Sequence, residues 1–302
     1  MLLITGITGH SGKYFLQHLM DDVSGSFFSE YHNIRIIARN TSDTSMLNDS
    51  GINFEKLTGN LTDENFLSTS LKGVNTVLHI AGIGYSHLLV KKAAESNVKR
   101  MVLVHTTGIY SKYKAASSGY IEIEKEIHKI AIANNIVLTI LRPTMIYGSV
   151  SDKNIVFFIK MIDYFKLVPI VNHAKYDLQP IHASDLGKAY YQILLNIRQT
   201  ENKDYILSGK SPIKLIDIFK VIENHLGVQR KYISIPFPIA YLGAWLVFLV
   251  TATKKDYREK VQRLCESRAF SHDEATRDFG FDPISFEDGV MSEINEWRSR
   301  LK

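Results

Sequence analysis

The chain has 302 residues, of which 45% are hydrophobic, 22% charged and 11% aromatic, and this composition excludes a disordered, collagen-like or coiled-coil protein. The net charge of +5 favours anionic small molecules but is too diffuse to indicate a nucleic-acid partner. The single cysteine, Cys265, predicts a reducing, cytoplasmic environment, and one cysteine with scattered histidines predicts no metal site.

Short apolar runs alternate with helical stretches over the first half of the chain, which is the pattern of βαβ units. The predicted strands are Leu2–Thr5, Asn33–Ala38, Asn53–Leu57, Thr76–Ile80, Arg100–His105 and Val137–Leu141. The predicted helices are Gly12–Met20, Asp63–Leu71, Ser86–Glu95 and Ile121–Asn134. This alternation predicts an α/β fold with a Rossmann-type, doubly wound parallel sheet.

After about residue 150 the predicted elements become longer and more helical, with a late strand at Asp204–Ser208 and a helix at Ile213–Leu226. We predict a cofactor-binding domain over residues 1–165, to which the chain returns around 176–200 and about 204–208. Residues 166–302 are predicted to form a smaller, mainly helical and interleaved substrate-binding part.

The turn after the first strand, residues 6–12, has the sequence Gly-Ile-Thr-Gly-His-Ser-Gly. Gly6 permits a tight turn, Gly9 lets a pyrophosphate approach the backbone, and Gly12 allows the helix to lie close to the sheet. The amides at the helix N-terminus then face the phosphates. The predicted cofactor-binding residues of this turn are Gly6, Thr8, Gly9, His10, Ser11 and Gly12.

The end of the second strand indicates which dinucleotide is preferred, because an acidic residue there binds a ribose 2′-hydroxyl and an arginine accepts a 2′-phosphate. The strand ends in Ala38-Arg39-Asn40, without an Asp or Glu. Arg39 therefore predicts NADP as the cofactor, with NAD as the alternative.

Five further segments occur in the order that a known family would place them: Gly59–Asp63, His79–Gly82, Val104–Tyr110, Leu141–Gly148 and Pro180–Leu186. With the glycine turn, they make the chain resemble the extended or atypical short-chain dehydrogenase/reductase family, which contains the NAD-dependent epimerases and dehydratases. The resemblance implies further cofactor contacts from Asn60, Leu61, Ala81, Gly82, Tyr120, Pro143 and Met145. It also implies an oxidoreductase, epimerase or dehydratase that acts on a nucleotide-linked sugar or a similar hydroxy or keto substrate.

The chemistry of that family requires a Ser or Thr hydroxyl, a Tyr that acts as acid and base, and a Lys four residues after the Tyr, which lowers the phenol pKa. Thr106 matches the hydroxyl position, with Thr107 as the alternative. Tyr120 is the better positional match for the acid/base, although Tyr110 and Lys114 satisfy the spacing literally.

The position four residues after Tyr120 holds Glu124 instead of the family's Lys. A carboxylate there would raise the pKa of Tyr120 and repel a phenolate. In one interpretation a displaced cation works with Tyr120, for which Lys125 is predicted, with Lys112 and Lys114 as alternatives. In the other, the reductase chemistry is lost and the protein is a non-catalytic NADP(H)-binding redox sensor.

One segment lies outside the family pattern, because the 22 residues from Tyr232 to Thr253 carry no charge. Pro236 and Pro238 interrupt its start, which leaves about fifteen residues for a helix. Three interpretations are open: a helix packed in the second domain or in a homodimer contact, a peripheral membrane contact, or a membrane span.

Overall fold

A sheet of seven parallel strands lies at the centre of the computed structural model, which describes residues 1–113, 118–152, 154–251 and 256–300. The strands in these ranges are β1 (Leu2–Thr5), β2 (Ile34–Ala38), β3 (Phe54–Thr58), β4 (Thr76–His79), β5 (Arg100–Val104), β6 (Val137–Pro143), β7 (Ile146–Tyr147), β8 (Leu167–Val171), β9 (Asp177–Leu178), β10 (Ile181–His182), β11 (Asp204–Leu207), β12 (Ile213–Lys214) and β13 (Lys231–Ile235). The central sheet has the order β11-β6-β5-β4-β1-β2-β3. Its middle strands β1 and β5 are buried along their whole length, as expected for a parallel sheet covered on both faces.

Helices cover both faces of this sheet. The helices of the described ranges are α1 (His10–Met20), α2 (Ser26–Glu30), α3 (Ser45–Asp49), α4 (Glu64–Ser70), α5 (Ser86–Glu95), α6 (Ser118–Ala133), α7 (Ile155–Tyr164), α8 (Ala183–Leu195), α9 (Ile197–Thr200), α10 (Leu215–Leu226), α11 (Phe237–Val250), α12 (Arg258–Arg263), α13 (Asp273–Phe279) and α14 (Phe286–Ser299). One buried cluster joins α1 and α8 to the sheet, and another joins α4, α5 and α6 to its opposite face. The predicted α/β fold with a Rossmann-type, doubly wound parallel sheet is confirmed.

The first half of the chain follows the predicted elements closely. Each strand and helix predicted before residue 150 occurs in the structure, with its ends within three residues of the prediction. The prediction succeeds here because the apolar runs of a two-sided parallel sheet and the turns between them are visible in the local sequence.

A further hydrophobic cluster fills the C-terminal part of the chain. Its buried side chains come mainly from α7, α10 and α14, with Ile159, Ile222 and Ile294 as examples. The domain boundary at residue 165 stays a prediction, and α7, which precedes it, packs in this cluster. The segment that contains α8 and β11 packs in the cluster that joins α1 to the central sheet, where Tyr190 and Tyr205 are buried.

The uncharged segment forms β13 and α11. Of the 14 residues of α11, only Ala244 is buried, so the helix is not enclosed in a hydrophobic core. Packing in the second domain or in a homodimer contact and a peripheral membrane contact stay predictions. Within the described ranges, no helix combines the length and the apolar character that a membrane crossing needs.

Candidate functional site

A cavity with a volume of about 750 Å³ opens at the carboxyl ends of the central strands. Its walls are the segments that follow β1, β2, β3 and β4, together with a loop that precedes α7. The lining residues are Gly6, Thr8, Gly9, His10, Ser11, Ile37, Ala38, Arg39, Thr41, Ser42, Asp43, Gly59, Asn60, Leu61, Ile80, Ala81, Tyr85, Ile146, Ser151, Asp152 and Asn154. We refer to it as the glycine-turn cavity.

The glycine turn brings α1 into close contact with the end of β1. Gly6 has a φ of +80°, and a Cβ atom there would lie 2.6 Å from the backbone nitrogen of Ala81. A Cβ atom at Gly12 would overlap the carbonyl oxygens of Gly6 and Ile7. Gly9 is the N-cap of α1 and provides no side-chain cap, so the first amides of the helix remain available to an anion in the cavity.

Arg39 lies on the wall of the cavity that follows β2. Its backbone nitrogen donates a hydrogen bond to Ser42 Oγ at 3.2 Å. Its side chain is exposed, and no described residue offers the guanidinium a hydrogen bond or an ion pair. Thr41 and Ser42 line the same wall, so one cation and two hydroxyl groups face this end of the cavity.

His10 is the first residue of α1. Its Nε2 atom is buried and has no hydrogen-bond partner among the described residues. Burial lowers the pKa of His10, although a hydrogen bond with the backbone of Gly148 opposes the shift. The ring is therefore neutral at physiological pH and has an unsatisfied nitrogen beside the cavity.

Nine of the predicted cofactor-binding residues line the glycine-turn cavity: Gly6, Thr8, Gly9, His10, Ser11, Arg39, Asn60, Leu61 and Ala81. The predicted residues Gly12, Gly82, Tyr120, Pro143 and Met145 do not line it. Gly12 serves the close packing of α1, and Gly82 accepts a hydrogen bond from His79 Nε2 at 3.1 Å. Pro143 accepts one from Thr107 Oγ1, and Met145 packs against the C-terminal cluster.

Sequence reasoning missed two parts of the cavity wall. Tyr85 follows the fourth-strand motif by three residues, and it could have been found by extending that motif along the chain. Ser151, Asp152 and Asn154 come from the loop before α7, which carries no recognisable motif. Only the folding of the C-terminal part brings this loop over the cavity.

Glu124, four residues after Tyr120 on α6, is buried in a network of charged groups. Its carboxylate accepts hydrogen bonds from Arg142 Nη2 at 2.7 Å and Arg142 Nε at 3.2 Å, and it contacts His105 Nδ1 at 2.9 Å. Arg142 Nη2 also contacts Asp204 Oδ2 at 2.7 Å. Burial by itself raises the pKa of Glu124, but the hydrogen bonds from His105 and Arg142 outweigh it and hold that pKa below its usual range. We call Glu124, Arg142, His105 and Asp204 the Glu124 network.

The network changes the electrostatic expectation for Tyr120, which precedes Glu124 by one helical turn on α6. The sequence predicted that a carboxylate at this position would repel a phenolate. In the structure, the guanidinium of Arg142 compensates the charge of Glu124, so the carboxylate does not act as an isolated negative charge. The predicted displaced cation, Lys125, has a side chain that is 61% exposed and lies 4.0 Å from Glu122.

The other predicted catalytic side chains are distributed as follows. Thr106 Oγ1 accepts a hydrogen bond from Gly108 N at 3.0 Å, and Tyr120 is half-buried in the first turn of α6. Tyr110 lines a separate cavity of about 510 Å³, where its ring faces the Arg142 guanidinium at 5.9 Å. Lys112 is exposed, and Lys114 lies outside the described residues.

The family model for the NmrA-like family matches residues 1–248, which is most of the chain. The chain belongs to the NmrA-like family. No curated protein sequence matches it. This NmrA-like chain is similar in structure to the protein gox2253, with 19% identity and a TM-score of 0.77 over 99% of this chain and 98% of the other.

Two enzymes of stated activity share this fold. The dTDP-glucose 4,6-dehydratase of Streptomyces venezuelae, solved with NAD, is 17% identical, with a TM-score of 0.72 over 99% of this chain and 97% of the other. The UDP-glucose 4-epimerase of Thermotoga maritima, solved with UDP-glucose, is 16% identical, with a TM-score of 0.72 over 100% and 99%. The resemblance to the epimerase and dehydratase group is thus confirmed for the fold.

A pair of carboxyl groups lies behind the cavity wall of this NmrA-like protein. Glu293 on α14 is fully buried and accepts a hydrogen bond from Gly148 N at 2.8 Å. Burial, together with the Asp152 carboxylate, raises the pKa of Glu293 well above its usual range. The Glu293 carboxyl therefore retains its proton to a higher pH than an exposed Glu does.

Replacement of Glu124 by Lys is expected to destabilise the protein rather than restore the family's catalytic pair. Lys at this position would place a second cation beside the buried guanidinium of Arg142, and we expect the free energy of unfolding to fall by about 3–5 kcal/mol. The exposed neighbour provides the control, since Lys125→Ala should change it by less than about 0.5 kcal/mol. Urea unfolding followed by circular dichroism measures both, and equal midpoints for Glu124→Lys and wild type would contradict the buried pairing.

Glu293 is expected to make the stability depend on pH. Because the folded state retains a proton that an unfolded Glu releases near pH 4.3, stability should fall as the pH rises above that value. In Glu293→Gln the amide can accept from Gly148 at every pH, so this part of the fall should disappear. Thermal unfolding between pH 5 and pH 8 provides the measurement.

Two other acids, Asp185 and Glu296, have to be distinguished from Glu293 in this measurement. Asp185, whose pKa burial raises to about 7, contributes a fall with pH that Glu293→Gln should retain. On the same helix, hydrogen bonds from Val150 and Arg300 outweigh burial and lower the pKa of Glu296. Glu296→Gln is therefore the matched control and should not remove the fall. An unchanged pH profile in Glu293→Gln would exclude the raised pKa of Glu293.

Proposed function

We propose that this protein binds NADP(H) in the glycine-turn cavity, with NAD(H) as the weaker ligand. The observation that carries the proposal is the combination of a glycine turn without room for a Cβ atom at Gly6 and Gly12, free amides at the helix N-terminus, and an Arg39 guanidinium that no described residue pairs. These are the features that a diphosphate and a 2′-phosphate require. The cavity volume, about 750 Å³, is also sufficient for a large ligand.

The lining residues divide the cavity into regions that fit parts of the dinucleotide. The backbone of Gly9 and the first turn of α1 would hold the diphosphate, and Asn60 and Leu61 would lie beside the adenine. Arg39, with the hydroxyl groups of Thr41 and Ser42, would hold the 2′-phosphate. When bound, the cofactor supplies or accepts a hydride.

The proposed reaction is oxidation or reduction at a carbon that carries a hydroxyl or keto group, as part of a reduction, epimerisation or dehydration. A nucleotide-linked sugar is the proposed substrate, supported by the fold shared with enzymes that were solved with NAD or UDP-glucose. Thr106 would bind the reacting oxygen and Tyr120 would transfer its proton. Lys125 was predicted to assist Tyr120, and its exposure and its contact with Glu122 weigh against that part of the proposal.

The second candidate is a non-catalytic sensor of the NADP(H) ratio. The observation that favours it is the Glu124 network, in which the position of the family's Lys is occupied by a buried carboxylate that is already paired. A protein with this arrangement would keep the cofactor cavity while lacking the ammonium that normally lowers the phenol pKa.

Arg39→Ala is expected to weaken the binding of NADPH about tenfold to a hundredfold and to leave the affinity for NADH almost unchanged. The reason is the loss of charge-assisted hydrogen bonds to the 2′-phosphate, which only NADPH carries. Isothermal titration calorimetry measures both affinities. Arg198→Ala, which removes an exposed Arg on α9, is the control and should alter neither. Equal losses for the two cofactors in Arg39→Ala would refute the role of the guanidinium.

Hydride exchange between NADPH and a panel of nucleotide sugars separates the enzyme from the sensor. For an enzyme, we expect exchange that Tyr120→Phe reduces about a hundredfold or more while NADPH still binds, because the phenol transfers a proton and does not hold the cofactor alone. For a sensor, we expect NADPH binding without exchange in wild type and variant. A complex in which the Tyr120 oxygen lies far from nicotinamide C4 would exclude the acid/base role.

A further inference from the structure

The helix α11 presents an apolar face that no described residue covers. The side that packs towards the protein carries Phe237, Ala240, Tyr241, Ala244 and Phe248, which recur at helical spacing. The opposite side carries large apolar residues with 39–85% of their surface exposed: Ile239, Leu242, Trp245, Leu246, Val247, Leu249 and Val250. An exposed apolar surface of this kind marks an interaction site.

The segment of the sequence that contains this helix is basic. Residues 231–263 contain six Lys and Arg and two Asp and Glu, which gives this segment a net charge of +4. Both acids are already paired, Asp256 with Arg258 and Glu259 with Arg263. The exposed side chain of Lys260 has no acidic partner among the described residues and lies 5.4 Å from the Tyr257 ring. The surroundings of α11 therefore attract anions.

The dimensions of α11 distinguish between the partners that could cover it. Its 14 residues span about 21 Å, which is less than the bilayer hydrocarbon core of about 30 Å. At about 100° per residue, the exposed apolar positions cover about 200° of its circumference. A helix of a second copy would cover one stripe of about half that width. A lipid surface, in contrast, accommodates the whole exposed arc.

We propose that α11 lies in the surface of an anionic lipid bilayer, parallel to the membrane plane, with its exposed apolar residues inserted among the acyl chains. Trp245 and Tyr257, each 40% exposed, would lie at the level of the headgroups, where amphipathic aromatic rings are favoured. Lys260 would face the anionic headgroups. The helix would be inserted by about 5–10 Å, as for other interfacial helices.

Flotation of the full-length protein with vesicles tests the proposal. We expect binding to vesicles of phosphatidylcholine with phosphatidylglycerol, weaker binding at high salt, and less binding to phosphatidylcholine alone. Tryptophan fluorescence provides a second measurement. The other tryptophan, Trp297, is only 8% exposed, so a change in emission on vesicle binding reports on Trp245. The fluorescence of Trp245 should shift to shorter wavelength and be quenched by brominated acyl chains.

The double variant Leu246→Glu/Val250→Glu should lose at least about tenfold in vesicle affinity, because it places two charges in the inserted face. Both side chains are exposed, so the thermal midpoint should be that of the wild type. Ile132→Glu, which replaces a 78% exposed residue on α6, is the matched control and should bind like the wild type.

Three results would overturn the proposal. The first is failure of the wild type to bind anionic vesicles. The second is an equal loss of binding in Ile132→Glu and in the double variant, which would indicate non-specific adsorption. The third is a stable dimer in analytical ultracentrifugation that the double variant dissociates, since a second copy would then cover α11.

Discussion

The close approach of α1 to the end of β1 is the constraint on which the rest of the structure depends. At Gly12 there is no room for a Cβ atom between the helix and the turn before it, and at Gly187 α8 comes equally close to the backbone of Tyr14 and Phe15. The helix is thus held between the sheet and α8. This fixes the direction of its first amides, and the cavity is built around them.

The same constraint links the two parts of the chain. The segment that packs against α1 follows α7 and β8 in the chain. The C-terminal part is therefore joined to the central sheet through α8 and β11. The loop before α7 is held over the cavity by Glu293 of α14. A change in the packing of α14 would therefore reach the cavity wall without altering any residue of the glycine turn.

The Glu124 network is a second arrangement whose members depend on one another. A buried carboxylate is tolerated only when donors satisfy it, and here Arg142 and His105 do so from two neighbouring strands and their connections. Glu124 is consequently not an isolated charge beside Tyr120. It belongs to a set of ion pairs that joins α6, β6 and β11.

The sequence by itself determined the strands of the sheet, the glycine turn and the position of Arg39, because apolar periodicity and turn chemistry are properties of neighbouring residues. Tertiary structure decided that Glu124 meets Arg142, that Gly148 from the segment before α7 meets Glu293, and that the described residues leave one face of α11 exposed. Each of these depends on residues that are distant in the chain, and their contacts follow from how whole elements pack. Local patterns cannot contain that information, since the same Glu is a repelling charge in isolation and a paired one in the folded protein.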